Sequence, residues 1–161
     1  MSLNKNLLEA RKIEKEYPSG EGMLKVLKGI DLKIRTGEIL VITGPSGAGK
    51  STLLHILGIL DKPTAGQLII DGQDTATLSE KQKADFRNKH IGFVFQFHYL
   101  LPEFTALENL LIPRMIGTRD WKKDITHARK LLEEVGLSQR EEHRPSQLSG
   151  GEQQRVAMAR A

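Results

Sequence analysis

The apolar positions change period along the chain, and the changes divide it. Over residues 7–36 short apolar runs alternate with charges and glycine. Leu24 to Leu27 and Ile30 to Ile34 read as strands, with Gly29 and Gly37 as breaks. Ile39-Leu40-Val41-Ile42 is a continuous apolar run, the pattern of a strand buried on both faces of a parallel sheet. After a glycine-rich turn, Leu53, Leu54, Ile56, Leu57, Ile59 and Leu60 cover most of a helix circumference, which predicts a buried helix ended by Pro63-Thr64-Ala65-Gly66. Leu68-Ile69-Ile70 predicts a strand closed by Asp71-Gly72, residues 79–89 an exposed charged helix, and Ile91 to Phe95 a further strand. From Phe97 to Gln147 the spacing is helical, as in Ile125, Ala128, Leu131, Leu132 and Val135. The pattern therefore predicts an α/β core carrying an inserted helical subdomain.

Composition narrows the chemistry. The 161 residues are 39% apolar and 27% charged, the profile of one ordinary globular domain. Lys and Arg total 24 against 20 acids, a net charge of +4, and the basic residues are scattered among acids. That distribution argues against a nucleic-acid partner. With no cysteine, disulfides, thiolate metal sites and thiol catalysis are excluded. No apolar run reaches the roughly 18 residues of a membrane span. None of the five histidines (55, 90, 98, 127, 143) stands at a recognisable metal-ligand spacing.

Residues 44–51, Gly44-Pro45-Ser46-Gly47-Ala48-Gly49-Lys50-Ser51, match the phosphate-binding loop. Glycines permit positive φ, so backbone N–H groups of Ser46, Gly47, Ala48 and Gly49 can curl round an anion. The helix that follows points free N–H groups and its positive dipole end, at Ser51 and Thr52, to the same place. Lys50 supplies a mobile ammonium for the β and γ phosphates, and Ser51 a hydroxyl for Mg²⁺. A merely structural glycine turn is the bland reading, and the apolar run before and helix after weigh against it. The loop predicts a nucleoside triphosphate without saying which chemistry follows.

A second motif makes that choice. Leu148-Ser149-Gly150-Gly151-Glu152-Gln153-Gln154 places Glu152 three residues after Ser149, a capping box that opens a helix. With the phosphate loop upstream and Gln96 at the end of a strand-like run between them, the chain resembles the nucleotide-binding domain of ABC transporters over essentially its whole length. The resemblance implies a P-loop, RecA-like α/β core with an N-terminal antiparallel β subdomain. It implies a core over 1–96, a helical subdomain over 97–147, and the signature with the start of its helix over 148–161. Tyr17 corresponds to the aromatic that stacks on adenine. Gln96 corresponds to the glutamine that touches Mg²⁺ and water and senses the membrane partner, so Lys50 and Gln96 stand as the catalytic candidates. Ser149 and Gly151 correspond to the signature that binds the γ-phosphate of ATP held by another protomer. ATP and Mg²⁺ are the implied ligands. The implied partners are a second nucleotide-binding subunit, in a head-to-tail ATP-sandwich dimer, and integral membrane subunits, on the cytoplasmic side of a bacterial inner membrane.

The stretch from Phe95 to Asn109 is similar to that of the lipoprotein-releasing ATPases of the Lol system. Macrolide-export and cell-division relatives, and a nucleotide-dependent module without turnover, remain alternatives. Phe97, Tyr99 and Phe104 read equally well as a partner's groove or as core of the helical subdomain. The family also carries, beyond its signature helix, an apolar strand ending in Asp-Glu and a later His. The resemblance thus implies a piece of a longer protein, poor in hydrolysis and low in stability by itself. Leu68-Ile69-Ile70-Asp71 has the apolar-then-acid form of that strand, but Gly72 follows, which predicts a turn instead.

Overall fold

The computed structural model describes residues 6–20, 22–117 and 121–161, which form two compact units, 1–84 and 85–161. In the first, β1 (Asn6–Ser19) and β2 (Gly22–Arg35) pair along their length. β3 (Ala65–Ile70) joins the other edge of β1, and β4 (Gln73–Asp74) closes the order β2-β1-β3-β4, every pair antiparallel. This is the expected antiparallel β subdomain. Gly29 does not break β2. Its left-handed backbone (φ 85) absorbs one extra residue where the register moves from Ile13↔Ile30 to Glu14↔Lys28. Asp71 (φ 48) and Gly72 (φ 81) form the two-residue turn between β3 and β4, the geometry that favours an Asp-Gly pair in a hairpin.

A second bulge decides which side chains of β1 face inward. Ala10↔Leu32 is followed by Ile13↔Ile30, and Arg11↔Gln67 by Glu14↔Ala65, so β1 carries one extra residue against both partners. Lys12 sits there with φ 46 and donates its N–H to Asp31 Oδ1 at 2.9 Å. Side chains alternate with period two, so one inserted residue reverses the phase. Before the bulge the inner face carries Leu8 and Ala10; after it, Ile13, Lys15 and Tyr17.

Helix α1 (Lys50–Leu57) packs against β2. Leu53, Ile56 and Leu57 are buried and Leu54 is 46% exposed, so the helix buries one face rather than most of its circumference. It ends earlier than the expected Pro63-Gly66 stop. Gly58 caps it, Ile59 turns the chain at φ 56, and the N–H groups of Leu60 and Asp61 bond to the His55 carbonyl. The core of this unit joins α1 to Ala10, Ile13, Leu27, Leu68 and Ile70 of the sheet.

Two expected strands are absent. Ile39–Ile42 and Ile91–Phe95 pair with no strand among the described residues, and Ile39 (92%) and Val41 (75%) are exposed. A continuous apolar run records the preference for burial on two faces. The flanking backbone that would satisfy its N–H and C=O groups is non-local, and no local pattern supplies it.

Helix α2 (Glu80–His90) has no buried residue, as its composition predicts. In the second unit α3 (Ala106–Gly117), α4 (Trp121–Glu134) and α5 (Gly150–Arg160) enclose a core of Ala106, Leu107, Leu110, Leu111, Ala128, Leu132, Leu137, Leu148 and Val156. Among the described residues no helix is long and apolar enough to cross a membrane.

Gly66 holds the sheet at its tightest point. With φ +93, a Cβ there would lie 2.3 Å from the Lys12 carbonyl oxygen, which the bulge pushes toward β3. Gly66→Ala should therefore destabilise by roughly 2–4 kcal/mol, because backbone must move. Gly72→Ala, also at positive φ but with open space around it, should cost only about 1 kcal/mol. Urea denaturation of the two variants checks the ranking; equal midpoints would contradict it.

Candidate functional site

The phosphate-loop residues lie at the start of α1, in the first unit. Gly49 is the N-cap, in the left-handed conformation (φ 85, ψ 10), and no side chain caps the helix. A Cβ on Gly49 would meet Leu27 Cδ2 and Val26 Cγ1 at 3.0 Å, so the loop's exit is pinned against β2. The first turn of α1 holds no acidic residue. Its N–H groups and dipole therefore present positive potential that no carboxylate of the helix answers. Lys50 folds back over the loop, its Nζ donating to the carbonyls of Gly44 (2.9 Å) and Pro45 (2.7 Å). Ser46, Gly47 and Ala48 stand exposed at the bend. The Ala48 N–H closes the bend on the Pro45 carbonyl at 3.3 Å, and the Lys50 ammonium lies over it.

Tyr17 belongs to the same unit and meets the same helix. Its hydroxyl donates to Asp61 Oδ2 at 2.8 Å, and the Thr52 side chain in the first turn of α1 lies beside it. Lys15 Nζ donates to Asp61 Oδ1 at 2.7 Å and to the Lys62 carbonyl at 2.8 Å, and lies 4.8 Å from the centre of the Tyr17 ring. Burial pushes the Tyr17 phenol up, and the bond to Asp61 adds to this. Burial also acts to raise Asp61, but bonds from Lys15, Tyr17 and the Lys62 N–H outweigh it and hold the carboxyl below its usual range. Tyr17 and Thr52 are thus brought together as candidates, and Lys15 and Asp61 join them unexpected from the sequence.

Gln96 and the signature lie in the second unit. Gln96 is exposed. Immediately after it, Arg160 of α5 donates to the carbonyls of His98 (2.9 Å) and Tyr99 (2.7 Å), so the end of α5 anchors the segment that follows the glutamine. At the other end of α5 the capping box is formed. Ser149 Oγ accepts from the Glu152 N–H at 3.3 Å, and Glu152 Oε2 accepts from the Ser149 N–H at 2.8 Å. Gly150 and Gly151 are exposed in the first turn. A Cβ on Gly150 would meet nothing within 4 Å, and one on Gly151 only the tip of Arg155 at 3.8 Å. The glycine pair leaves this helix start sterically open, with the Glu152 carboxylate already on the Ser149 N–H.

Phosphate loop, glutamine and capped glycine pair thus occur in order on one chain, and the ABC transporter family matches residues 27–161. The chain belongs to the ABC transporter family. It is 52% identical over 155 residues to the lipoprotein-releasing system ATP-binding protein LolD of Shewanella frigidimarina, over 96% of this chain and 65% of that protein. To LolD of Bacteroides fragilis it is 57% identical over 140 residues, 87% of this chain and 65% of that one. Among solved structures, a dimeric ATP-binding cassette in a post-hydrolysis state, bound to ADP and Pi, superposes with a TM-score of 0.88 at 41% identity. That match covers 95% of this chain and 68% of the cassette. The chain thus spans about two thirds of the length of these relatives.

Within this ABC transporter chain the aromatic residues after Gln96 are not core. Phe97 (71%), Tyr99 (63%) and Phe104 (40%) are exposed, and Tyr99 meets Phe95 in a T-shaped contact with ring centres 5.1 Å apart. Asn109 is the fully buried polar residue of the segment. Its amide donates to the carbonyls of Leu101, Phe104 and Thr105 and accepts from the Leu101 N–H, tying down the loop that carries the rings. Lys15 and Asp61 had one signal in the sequence: a lysine spaced two residues from both Ile13 and Tyr17. Without the bulge that spacing had no known inward face.

Glu152 makes the signature cap pH-dependent. The Ser149 N–H, the Ser149 hydroxyl and the Arg140 guanidinium hold its carboxyl down at about 2, against an ordinary 4.5. A value depressed in the folded state means that the cap's contribution is complete above about pH 4.5 and disappears as pH falls toward 2. The hydrogen-exchange protection factor of the Glu152 amide should fall through that window, and Glu152→Gln should flatten the profile. A wild-type profile as flat as the variant's would refute the assignment.

Proposed function

We propose that this chain is the nucleotide-binding part of an ABC transporter ATPase subunit. In that reading it couples ATP binding and hydrolysis to release of lipoproteins from an inner membrane. One observation carries the reading: an uncapped, acid-free helix start at Gly49–Thr52 with the Lys50 ammonium folded over the loop. A polyphosphate satisfies all of these groups at once. The amides of Gly44, Ser46, Gly47, Ala48 and Gly49 and those of the first turn would bind the phosphate oxygens. Lys50 would exchange the Gly44 and Pro45 carbonyls for the β and γ phosphates. The lipoprotein cargo rests on the identity to LolD proteins.

Mg²⁺ fits this donor set. The Ser51 hydroxyl in the first turn of α1 is a neutral hard oxygen of the kind Mg²⁺ takes beside phosphate oxygens and water. When bound, the metal neutralises charge on the phosphates during phosphoryl transfer. Ser51 would hold it from the helix side, and the family resemblance gives Gln96 the role of orienting water. Tyr17 would carry the adenine, and Thr52 would extend the phosphate contacts. Ser149 and Gly151 would face the γ-phosphate bound by a second copy, so the working unit is a head-to-tail dimer beneath integral membrane subunits. The exposed Phe97, Tyr99 and Phe104 offer those subunits an apolar patch, held in place through Asn109 and Arg160.

Lys50→Ala removes the ammonium and leaves the fold's buried contacts intact. Affinity for a fluorescent ATP analogue should fall at least roughly tenfold, the scale of one lost charge-assisted contact. Equal affinity in parent and variant would overturn the phosphate-loop assignment. In the full-length protein, Ser149→Glu should abolish ATP-driven dimerisation in size-exclusion chromatography while sparing nucleotide binding by the monomer. Loss of both together would count against the signature's role.

A further inference from the structure

We infer that Asp61, clamped by Lys15, is a positioning residue for the base of the nucleotide, acting through the hydroxyl of Tyr17. The inference rests on the reading of Tyr17 as the base platform and concerns how that ring is held. Four bonds converge on this corner. Asp61 Oδ2 accepts from Tyr17 (2.8 Å), Oδ1 accepts from Lys15 (2.7 Å) and from the Lys62 N–H (2.7 Å), and Lys15 also donates to the Lys62 carbonyl (2.8 Å). Lys15 is only 8% exposed. A lysine so buried is stable only when its charge is paired, and the carboxylate and carbonyl do this.

The consequence falls on Tyr17. Its ring carries the Lys15 ammonium over it at 4.8 Å, and its hydroxyl is held by Asp61. A ring held at one end with a cation over it has little rotamer freedom left to lose when a base stacks on it. The segment bearing Asp61 is itself stitched to β1. The Thr64 N–H bonds to the Glu14 carbonyl at 2.8 Å, and the Glu16 N–H to Thr64 Oγ1 at 3.0 Å. Helix α1 starts at Lys50 and runs about 12 Å at standard rise. The turn at Ile59 then delivers Asp61, so one rigid helix fixes both the phosphate cradle and the anchor of the ring. Asp61 bonds the Tyr17 hydroxyl and Lys15 lies over its ring, whereas Lys50 bonds the Gly44 and Pro45 carbonyls. The contribution of Asp61 and Lys15 is therefore specific to the base.

Two ligands separate this role from the phosphate loop's own: ATP and inorganic tripolyphosphate, each titrated against the full chain by calorimetry. Tyr17→Phe keeps the ring and removes the bond to Asp61. It should weaken ATP roughly three- to tenfold and leave tripolyphosphate within about twofold, since the loss lies in orienting the base. Asp61→Ala should give the same selective loss, and the two changes should not add, because they break one link. If Asp61→Ala does not fold, Tyr17→Phe decides alone. Unchanged ATP affinity in Tyr17→Phe, or parallel loss of both ligands, would overturn the positioning role while leaving the phosphate loop standing. Failure of the parent to bind tripolyphosphate would instead sink the phosphate-loop reading, and this inference with it.

Discussion

The start of α1 is the constraint on which the first unit is built. A helix leaves its first N–H groups without partners, and most helices answer them with a capping side chain or an acid in the first turn. Here Gly49 offers neither, and its left-handed backbone lies close against Val26 and Leu27. The resulting positive end has no answering group within the helix. Lys50, which would otherwise add to the repulsion, is held over the loop by two carbonyls. Sheet, loop and helix thus gather the positive helix end and the Lys50 ammonium in one place. The strand β2 serves it twice, as sheet partner to β1 and as the wall behind Gly49.

The same helix sets the second half of the site. Its far end turns sharply at Ile59, a β-branched residue at positive φ, where few such residues are found. The local strain is offset by bonds from Leu60 and Asp61 to His55 and by the stitching of residues 61–64 to β1. Lys15 meets Asp61 only because β1 is one residue too long for its partners. The bulge at Lys12 reverses the phase of the strand, and glycine at position 66 lets β3 approach the displaced carbonyl.

In the second unit the functional segments hang from polar anchors on an apolar core. Asn109, fully buried, holds the loop after the exposed rings, and the Thr105–Glu108 capping box starts α3 beside it. Arg160 ties the backbone after Gln96 to the end of α5, whose beginning is the Ser149–Glu152 cap. One helix therefore bears the signature at its N-terminus and restrains the glutamine's flank at its C-terminus. Burial lowers the proton affinity of Arg160, the mark of a guanidinium committed to structural bonds rather than to solvent.

The motifs were legible without coordinates because each is local. Gly44 to Ser51 and Ser149 to Glu152 specify their own backbone, and Asp71-Gly72 dictates its own turn. The helical periods of α2 and α4 survive because a helix closes its hydrogen bonds within the segment. What failed to transfer was non-local. Ile39–Ile42 and Ile91–Phe95 have the right side chains for strands, but a strand exists only when another backbone lies beside it. The inward face of β1 could not be read past Lys12, because one bulge reverses every position after it. Sequence alone determined the chemistry available at each motif. Tertiary structure alone decided that a lysine on β1 and an aspartate beyond α1 would share one aromatic ring, since only packing brings residues 46 positions apart within 2.7 Å.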